Sequence, residues 1–525
     1  MPVTPPISYP GVYIQELPSG VRTIVGVPTS IIAFLGRAPR GPVDEPVTIA
    51  SFDDYERTFG GLDLNSAMSY AVRDFFLNGG GQAIIVRLFK AGSDAEARAM
   101  ATVGSGDDAW EMWAASPGTW ANGLRSRVTY VREEGLGHQI LERYQCAAGE
   151  LFDLSIYDGD PDQKPAIATI ANVTLKEGPR RLDRVLEQET EWLRLKSLGR
   201  SMPKEGEVIE LAGGRDSEPL DAAAYLGSEE NKTGLYALEK ADLFNLLCLP
   251  PDTRHGDVDP AVYLEALKYC YRRRAILIID PPFAWAEQKE TAAAEAIQGI
   301  NSLGISGEMA RNAVLYFPRV MQADPLDGNR PDVFPACGIV AGIISRTDAT
   351  RGVWKAPAGL EATLQGILGL QASLTDAENR QLNSLAINCL RVFPAAGPVI
   401  WGARTLRGAD PLADEYKYLP VRRLALYIEE TLYRSTKWAV FEPNDETLWS
   451  QLRLNIGTFM QDLFRQGAFQ GQTPGDAYFV QCDSTTTTQG DIDKGVVNIL
   501  VGFAPLRPSE FVVLHLQQMA GTVAA

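Results

Sequence analysis

The chain has 525 residues, 45% of them hydrophobic and 22% charged. That balance is ordinary for soluble globular proteins, and the length implies two to four domains rather than one. The net charge of −17 repels phosphate backbones and argues against nucleic acid as a partner; the longest basic run, Arg272-Arg273-Arg274, reads as a solvated helix face or local ion pairs.

The opening residues, MPVTPPISYPGVYIQELPSG, lack the basic and apolar blocks of a secretory signal. No stretch reaches the roughly 18 apolar residues of a membrane span, so no direct membrane insertion is expected. The cysteines Cys146, Cys248, Cys270, Cys337, Cys389 and Cys482 stand far apart in apolar segments, as suits buried free thiols in a reducing cytoplasm.

Residues 1–20 carry five prolines and two glycines, which exclude a helix. Val12, Tyr13, Ile14, Gln15 and Glu16 alternate as a single strand, which needs a sheet to join. Residues 21–90 read as a first α/β part: a buried strand over 30–36, a helix over 65–77 stopped by Asn78-Gly79-Gly80-Gly81, and a strand over 82–88. Residues 91–210 are more polar, broken by Gly, Asp and Pro, and read as an inserted, largely β domain with strands at 127–131 and 152–157.

The α/β rhythm returns over 211–400. Apolar strands at 244–249, 275–279 and 313–317 alternate with helices at 259–272 and 286–302, which implies parallel strands covered on both faces. The last block, 401–525, holds amphipathic helices over 419–438 and 447–466. Strands follow at 477–481, 496–501 (Val496, Val497, Asn498, Ile499, Leu500, Val501) and 511–516 (Phe511, Val512, Val513, Leu514, His515, Leu516), the last within a terminal arm at 510–518. The fold class is therefore mixed α/β, with an inserted β domain and extended terminal strands.

Catalytic patterns are sparse. The histidines His138, His255 and His515 include no i, i+4 pair, and neither a nucleophile elbow nor a phosphate loop occurs. Asp158-Gly159-Asp160-Pro161-Asp162 begins like a calcium loop but has Gln163 and Thr169 where glycine and glutamate belong, and reads as a solvated turn. Gly213-Gly214-Arg215-Asp216 reads as a turn. Asp280, after an apolar strand, stands where α/β enzymes keep chemistry, but Pro281-Pro282 follows and a turn or cap role is favoured. No catalytic residue, cofactor or metal site is assigned.

Several motifs together resemble the contractile tail sheath family. They are Tyr9-Pro10-Gly11-Val12-Tyr13-Ile14-Gln15-Glu16, residues 33–42 (AFLGRAPRGP), 116–124 (SPGTWANGL), 211–216 (LAGGRD), 351–359 (RGVWKAPAG), 401–406 (WGARTL) and 440–444 (VFEPN) with Leu448-Trp449. They stand in the family's order over nearly the whole chain; residues 125–205 carry little of it. The resemblance implies a non-enzymatic subunit that polymerises with itself as stacked hexameric rings around an inner tube protein. It also implies baseplate and terminal cap proteins as partners, a second sheath paralogue as a possible one, assembly in the bacterial cytoplasm, and release by lysis.

In that family the terminal arms weave neighbours together. The role would fall here to 12–16 and 511–516, with 496–501 as the receiving sheet. Arg453, Asp462 and Arg465 on the helix over 447–466 are the candidate tube contacts. Two other readings stay open: an α/β enzyme centred on Asp280, and a non-contractile tail or baseplate scaffold.

Overall fold

A computed structural model describes residues 22–90, 97–134 and 136–511. Two compact units emerge: one from Ser30–Thr350 and Pro357–Lys417, the other from Arg351–Ala356 with the described parts of Met1–Thr29 and Tyr418–Ala525.

The larger unit is built on an eight-stranded sheet. Its order is Gly397–Trp401, Asn388–Phe393, Ala313–Phe317, Ile276–Ile279, Leu246–Cys248, Ile32–Gly36, Ala83–Arg87 and Val47–Ile49. The inner strands are parallel and the two outermost antiparallel. The strands Ile32–Gly36, Ala83–Arg87, Ile276–Ile279 and Ala313–Phe317 are buried along their whole length, which is why they appear as unbroken apolar runs rather than alternating ones.

Helix Cys337–Arg351 carries no amphipathic pattern, because Cys337 through Ser345 are all buried. It lies close against helix Ala67–Leu77: a Cβ on Gly338 would stand 2.0 Å from the Ala71 carbonyl oxygen, and one on Gly342 2.5 Å from that of Phe75. The expected helix over 286–302 is shorter, Ala292–Gly299, flanked by 3₁₀ turns at Phe283–Ala286 and Ile300–Leu303. The Trp285 indole packs onto Gly299, where a Cβ would approach within 2.3 Å, and the α-helix gives way there.

Between Ala83–Arg87 and Leu246–Cys248 the chain makes two antiparallel sheets. One orders Val208–Glu210, Leu124–Tyr130, Phe152–Asp158 and Ala168–Val173; the other Met100–Val103, Trp110–Ala114 and Leu193–Ser197. They share an apolar cluster that includes Trp110, Val128, Phe152, Leu154 and Leu186. Strands Leu124–Tyr130 and Phe152–Asp158 alternate buried and half-exposed positions, as one-sided sheets do.

The smaller unit is a helical layer with a small sheet. Helices Leu419–Ser435 and Glu446–Arg465 share a core of Leu424, Ile428, Ile456, Phe459 and Met460, into which Val353 projects from the short segment Arg351–Ala356. Residues 22–29, which the sequence places with the first α/β part, belong to this unit instead. The Arg22 amide donates to Asn455 Oδ1 at 3.0 Å, Val27 to Thr431 Oγ1 at 3.3 Å, and Arg423 donates to the Thr29 carbonyl at 2.9 Å. Gly26 lets Tyr427 close on the backbone, since its Cβ would fall 1.9 Å from the phenol oxygen.

Candidate assembly interface

The place where an α/β enzyme would keep its chemistry is occupied by protein. The strand order reverses between Ile32–Gly36 and Leu246–Cys248, and ligands of open α/β sheets bind outside the carboxyl ends of strands at such a point. Here Arg37, just after the first strand, pairs in two-pronged fashion with Asp252, just after the second: Nε to Oδ1 at 2.5 Å and Nη2 to Oδ2 at 2.9 Å. Both side chains are only 13% exposed.

Asp280 is buried, and its Oδ1 accepts from the amides of Ala336 (2.8 Å) and Cys337 (3.0 Å). It caps the start of helix Cys337–Arg351, satisfying donors that a helix start leaves open. Burial pushes its carboxyl above the ordinary range, and likewise raises the nearby thiols of Cys248 and Cys337. Beside it the buried Arg319 guanidinium donates to the carbonyls of Pro281 (2.9 Å), Arg254 (2.9 Å) and Gly256 (2.9 Å) and to Asp257 (2.6 Å). These contacts fix the loops over the strand ends.

Arg254 in turn reaches Asp324 at 2.5 Å, which also accepts from the Tyr70 hydroxyl at 2.7 Å. Burial opposes ionisation of Asp324, but the Tyr70 and Arg254 hydrogen bonds outweigh it and hold the carboxyl below its ordinary value.

The sequence motifs prove to be contact partners of one another. Arg87 donates to the carbonyls of Ala38, Pro39, Gly41 and Pro117, tying the loop of the 33–42 motif to the 116–124 motif. The latter meets the 211–216 motif: Asn122 and Gly214 exchange hydrogen bonds at 2.8 and 2.9 Å, and Asp216 accepts from the Thr119 amide and hydroxyl, both at 2.7 Å. The Gly359 amide donates to the Ile400 carbonyl at 2.9 Å, beside the 401–406 motif. Asn444 accepts from the Trp449 indole at 2.9 Å. The acidic turn at 158–162 is used internally, with Asp162 accepting from Arg127 at 2.6 Å and Asp160 from Gln163 at 3.0 Å.

Among the described residues, the sheet of the smaller unit has two strands. Tyr478–Gln481 pairs antiparallel with Leu500–Phe503, and no further strand among the described residues pairs with either; an isolated bridge joins Phe469 to Pro505. A two-stranded ribbon is marginal alone and presents unpaired main-chain groups at its edges. Phe479 and Leu500, on opposite strands, are each 52% exposed.

The strand expected over 496–501 starts later, so only Leu500 and Val501 of that run join the ladder. Val497 and Ile499 instead pack near Leu448, Trp449 and Leu452. The Asn498 amide donates to Thr487 Oγ1 at 3.0 Å, and the Val496 carbonyl accepts from Asn444 at 3.0 Å. The alternation was legible, but side-chain hydrogen bonds occupy the main chain before Leu500.

Residues 12–16 and 512–516 lie outside the described residues. Phe511 is exposed and lies outside any strand, one residue after Glu510, which accepts from the Tyr418 hydroxyl at 3.2 Å.

On helix Glu446–Arg465 the three expected contact residues part company. Arg453 folds back to Glu446 at 2.5 Å and to the Cys482 carbonyl. Asp462 and Arg465 form an exposed i, i+3 pair at 3.8 Å. Leu454 and Thr458 share the exposed face, a neutral stripe on the same side as that charged pair. Among the described residues no helix is long and apolar enough to cross a membrane, and no cluster of three or more His, Cys, Asp or Glu is placed to hold a metal.

Comparison with known proteins places this arrangement. The phage tail sheath protein central domain matches residues 224–406, and the phage tail sheath C-terminal domain matches 413–518. The tail sheath protein of Vibrio phage KVP40 is 24% identical over 256 residues, 46% of this chain; that of Enterobacteria phage T4 is 25% identical over 182 residues, 34% of this chain. The matches span only 37% and 26% of those two relatives' lengths.

Solved structures of similar fold include the PVC sheath complex of an extracellular contractile injection system in its contracted state (TM-score 0.56, 22% identity, covering 98% of this chain and 99% of that one). The contracted helical sheath of the anti-feeding prophage gives TM-score 0.56 and 23% identity, covering 97% of this chain and 99% of that one. The sheath tail protein from Listeria innocua gives TM-score 0.61 and 13% identity, covering 92% and 96%. With two sheath domains together matching more than half of its length, and with the fold of solved sheath subunits, the chain belongs to the contractile tail sheath family.

Proposed function

We propose that the chain is the structural subunit of a contractile sheath. Copies polymerise as stacked hexameric rings around an inner tube, and the lattice shortens to drive that tube through a target envelope. The observation that carries this reading is the two-stranded sheet Tyr478–Gln481/Leu500–Phe503, which no other strand among the described residues completes. Extended segments of neighbouring copies, residues 12–16 and 511–516, supply the missing strands through main-chain hydrogen bonds. A head-to-tail contact of this kind does not close on itself and so generates a helix. The inserted domain over 91–210 serves as an outward domain, and its two described sheets share one apolar cluster.

The exposed face of helix Glu446–Arg465, with Leu454, Thr458, Asp462 and Arg465, meets the tube. Exposed charge pairs give weak, salt-sensitive contacts, as a releasable grip requires. The particle's baseplate and cap proteins terminate the lattice, and a paralogous sheath chain is a further candidate partner. Assembly takes place in the bacterial cytoplasm, with release by lysis. No catalysis is part of this reading, and Arg37 and Asp252 filling the strand-order reversal support that.

Negative-stain electron microscopy of the purified chain, with and without residues 1–20, tests the proposal. Striated hollow tubes from the full chain and none from the truncated one are expected. Discrete small particles from both overturn it.

A further inference from the structure

Resting on the sheath reading, we infer that Phe441 is an aromatic anchor by which one copy of the chain grips a second copy. Phe441 is 102% exposed, and its backbone sits at φ +71°. Among the described residues it is the only aromatic at positive φ. A bulky residue in that region is a backbone outlier, and exposing a phenyl ring to water forgoes the gain of burial. Both costs fall on one residue, which points to a use outside the isolated subunit.

The loop is built to hold the ring out. Val440, itself exposed, donates to the Lys437 carbonyl, Glu442 to that of Ala439 at 3.2 Å, and Asp445 to that of Pro443 at 3.0 Å. Asp445 caps helix Glu446–Arg465 through the Leu448 amide at 3.0 Å. Asn444 accepts from the Trp449 indole at 2.9 Å and donates to the Val496 carbonyl at 3.0 Å. An aromatic on a fixed support loses little freedom on binding, which is the character of an interface hot spot.

The occupant follows from two observations. Asn444 ties this loop to Val496, and Trp438 and Ala439 just before the loop share an apolar cluster with Val497 and Ile499, in the segment that runs into the open sheet at Leu500–Phe503. The chain also bears a net charge of −17, so copies repel one another and a lattice of them needs apolar contacts to cohere. A second copy of this chain is the partner that meets both.

Phe441→Gly separates anchor from scaffold, because glycine adopts positive φ without strain. The variant subunit is expected to melt at the same temperature as the parent or higher. Its critical concentration for polymerisation, read by sedimentation, is expected to rise at least tenfold, and Phe441→Tyr to restore it. A photo-crosslinking p-benzoylphenylalanine at position 441 of the full chain is expected to give, in polymers, a species of twice the 57.3 kDa subunit mass.

Polymers of Phe441→Gly at the parental critical concentration would overturn the anchor and leave the sheath reading standing. So would crosslinks in whole particles that reach a different protein and never a second copy. A loss of melting temperature in Phe441→Gly matching its loss of assembly would reduce the residue to a folding role. If the unaltered chain forms no polymer, the sheath reading itself fails and the anchor with it.

Discussion

The carboxyl ends of the parallel strands and the two-stranded sheet of the smaller unit handle main-chain polarity in opposite ways. At the strand ends, buried side chains answer the loops and the helix start: Arg319 donates to three carbonyls, Asp280 caps a helix, and Arg37 and Asp252 fill the strand-order reversal. At Tyr478–Gln481 and Leu500–Phe503 the ladder stops after two strands among the described residues, and apolar side chains face outward. A region closed on itself resists change. On the proposed sheath reading, the region left open is where another chain is added, and a subunit of a lattice needs both.

That contrast breaks first at Arg319. Arg319→Ala strips a donor from buried carbonyls, and should cost about 4 kcal/mol in urea denaturation. A cost below about 1 kcal/mol would mean that the loops are held by other contacts and the strand ends are looser than described.

Asp280 comes next. Asp280→Ala leaves the Ala336 and Cys337 amides without their acceptor and should lose about 2 kcal/mol at pH 7. Asp280→Asn keeps an acceptor oxygen and should lose less. Because burial raises the Asp280 carboxyl, the folded chain holds a proton there that the unfolded chain releases above about pH 4. Its contribution therefore falls as pH rises from that point, and the Asn variant should lack this decline. Equal pH profiles for parent and Asn variant would contradict a raised carboxyl.

Asp324 and Asp414 give the opposite sign. Burial opposes their ionisation, but hydrogen bonds from Tyr70 and Arg254, and from the Tyr416 amide with Arg311 and Arg407, hold both below the ordinary carboxylate range. Their stabilisation is fully present above about pH 4 and is lost as pH falls through the folded values. Melting curves between pH 5 and 2 should show a steeper fall in the parent than in an Asp324→Asn variant, measured against each protein's own pH 7 value. Parallel curves would remove Asp324 from the acid response.

The smallest effect on the subunit belongs to the open sheet. Leu500→Lys changes a half-exposed side chain and should shift subunit stability by less than about 0.5 kcal/mol. A lysine on an edge discourages pairing with a further strand, so polymerisation should be lost. Normal tubes from this variant would show that the edge is not where copies join.

Much of the larger unit was readable beforehand. Strands such as Ile276–Ile279 and Ala313–Phe317 are buried on both faces, so their apolar runs report burial directly. Helix Cys337–Arg351 was not readable, because its stretch Cys337–Ser345 is buried at every position and carries no stripe, and its packing rests on Gly338 and Gly342 meeting another helix's backbone. The hairpin Asn388–Phe393/Gly397–Trp401 is likewise not among the strands the sequence predicts. The motifs were visible as words, but not that they hydrogen-bond to one another. Phe441 stood inside one of them, and nothing in the letters says that its ring is exposed or its backbone left-handed.

The sequence by itself determined the alternation of buried strands and helices, the acidic charge, and the order of the family's motifs, because these depend on local pattern and composition. Only the tertiary structure decided that Asp280 caps a helix far along the chain, that Arg37 and Asp252 close the strand-order reversal, and that residues 22–29 and Arg351–Ala356 belong with the C-terminal helices. Those outcomes depend on which distant donors and acceptors meet once the chain is folded, and spacing along the sequence does not encode that meeting.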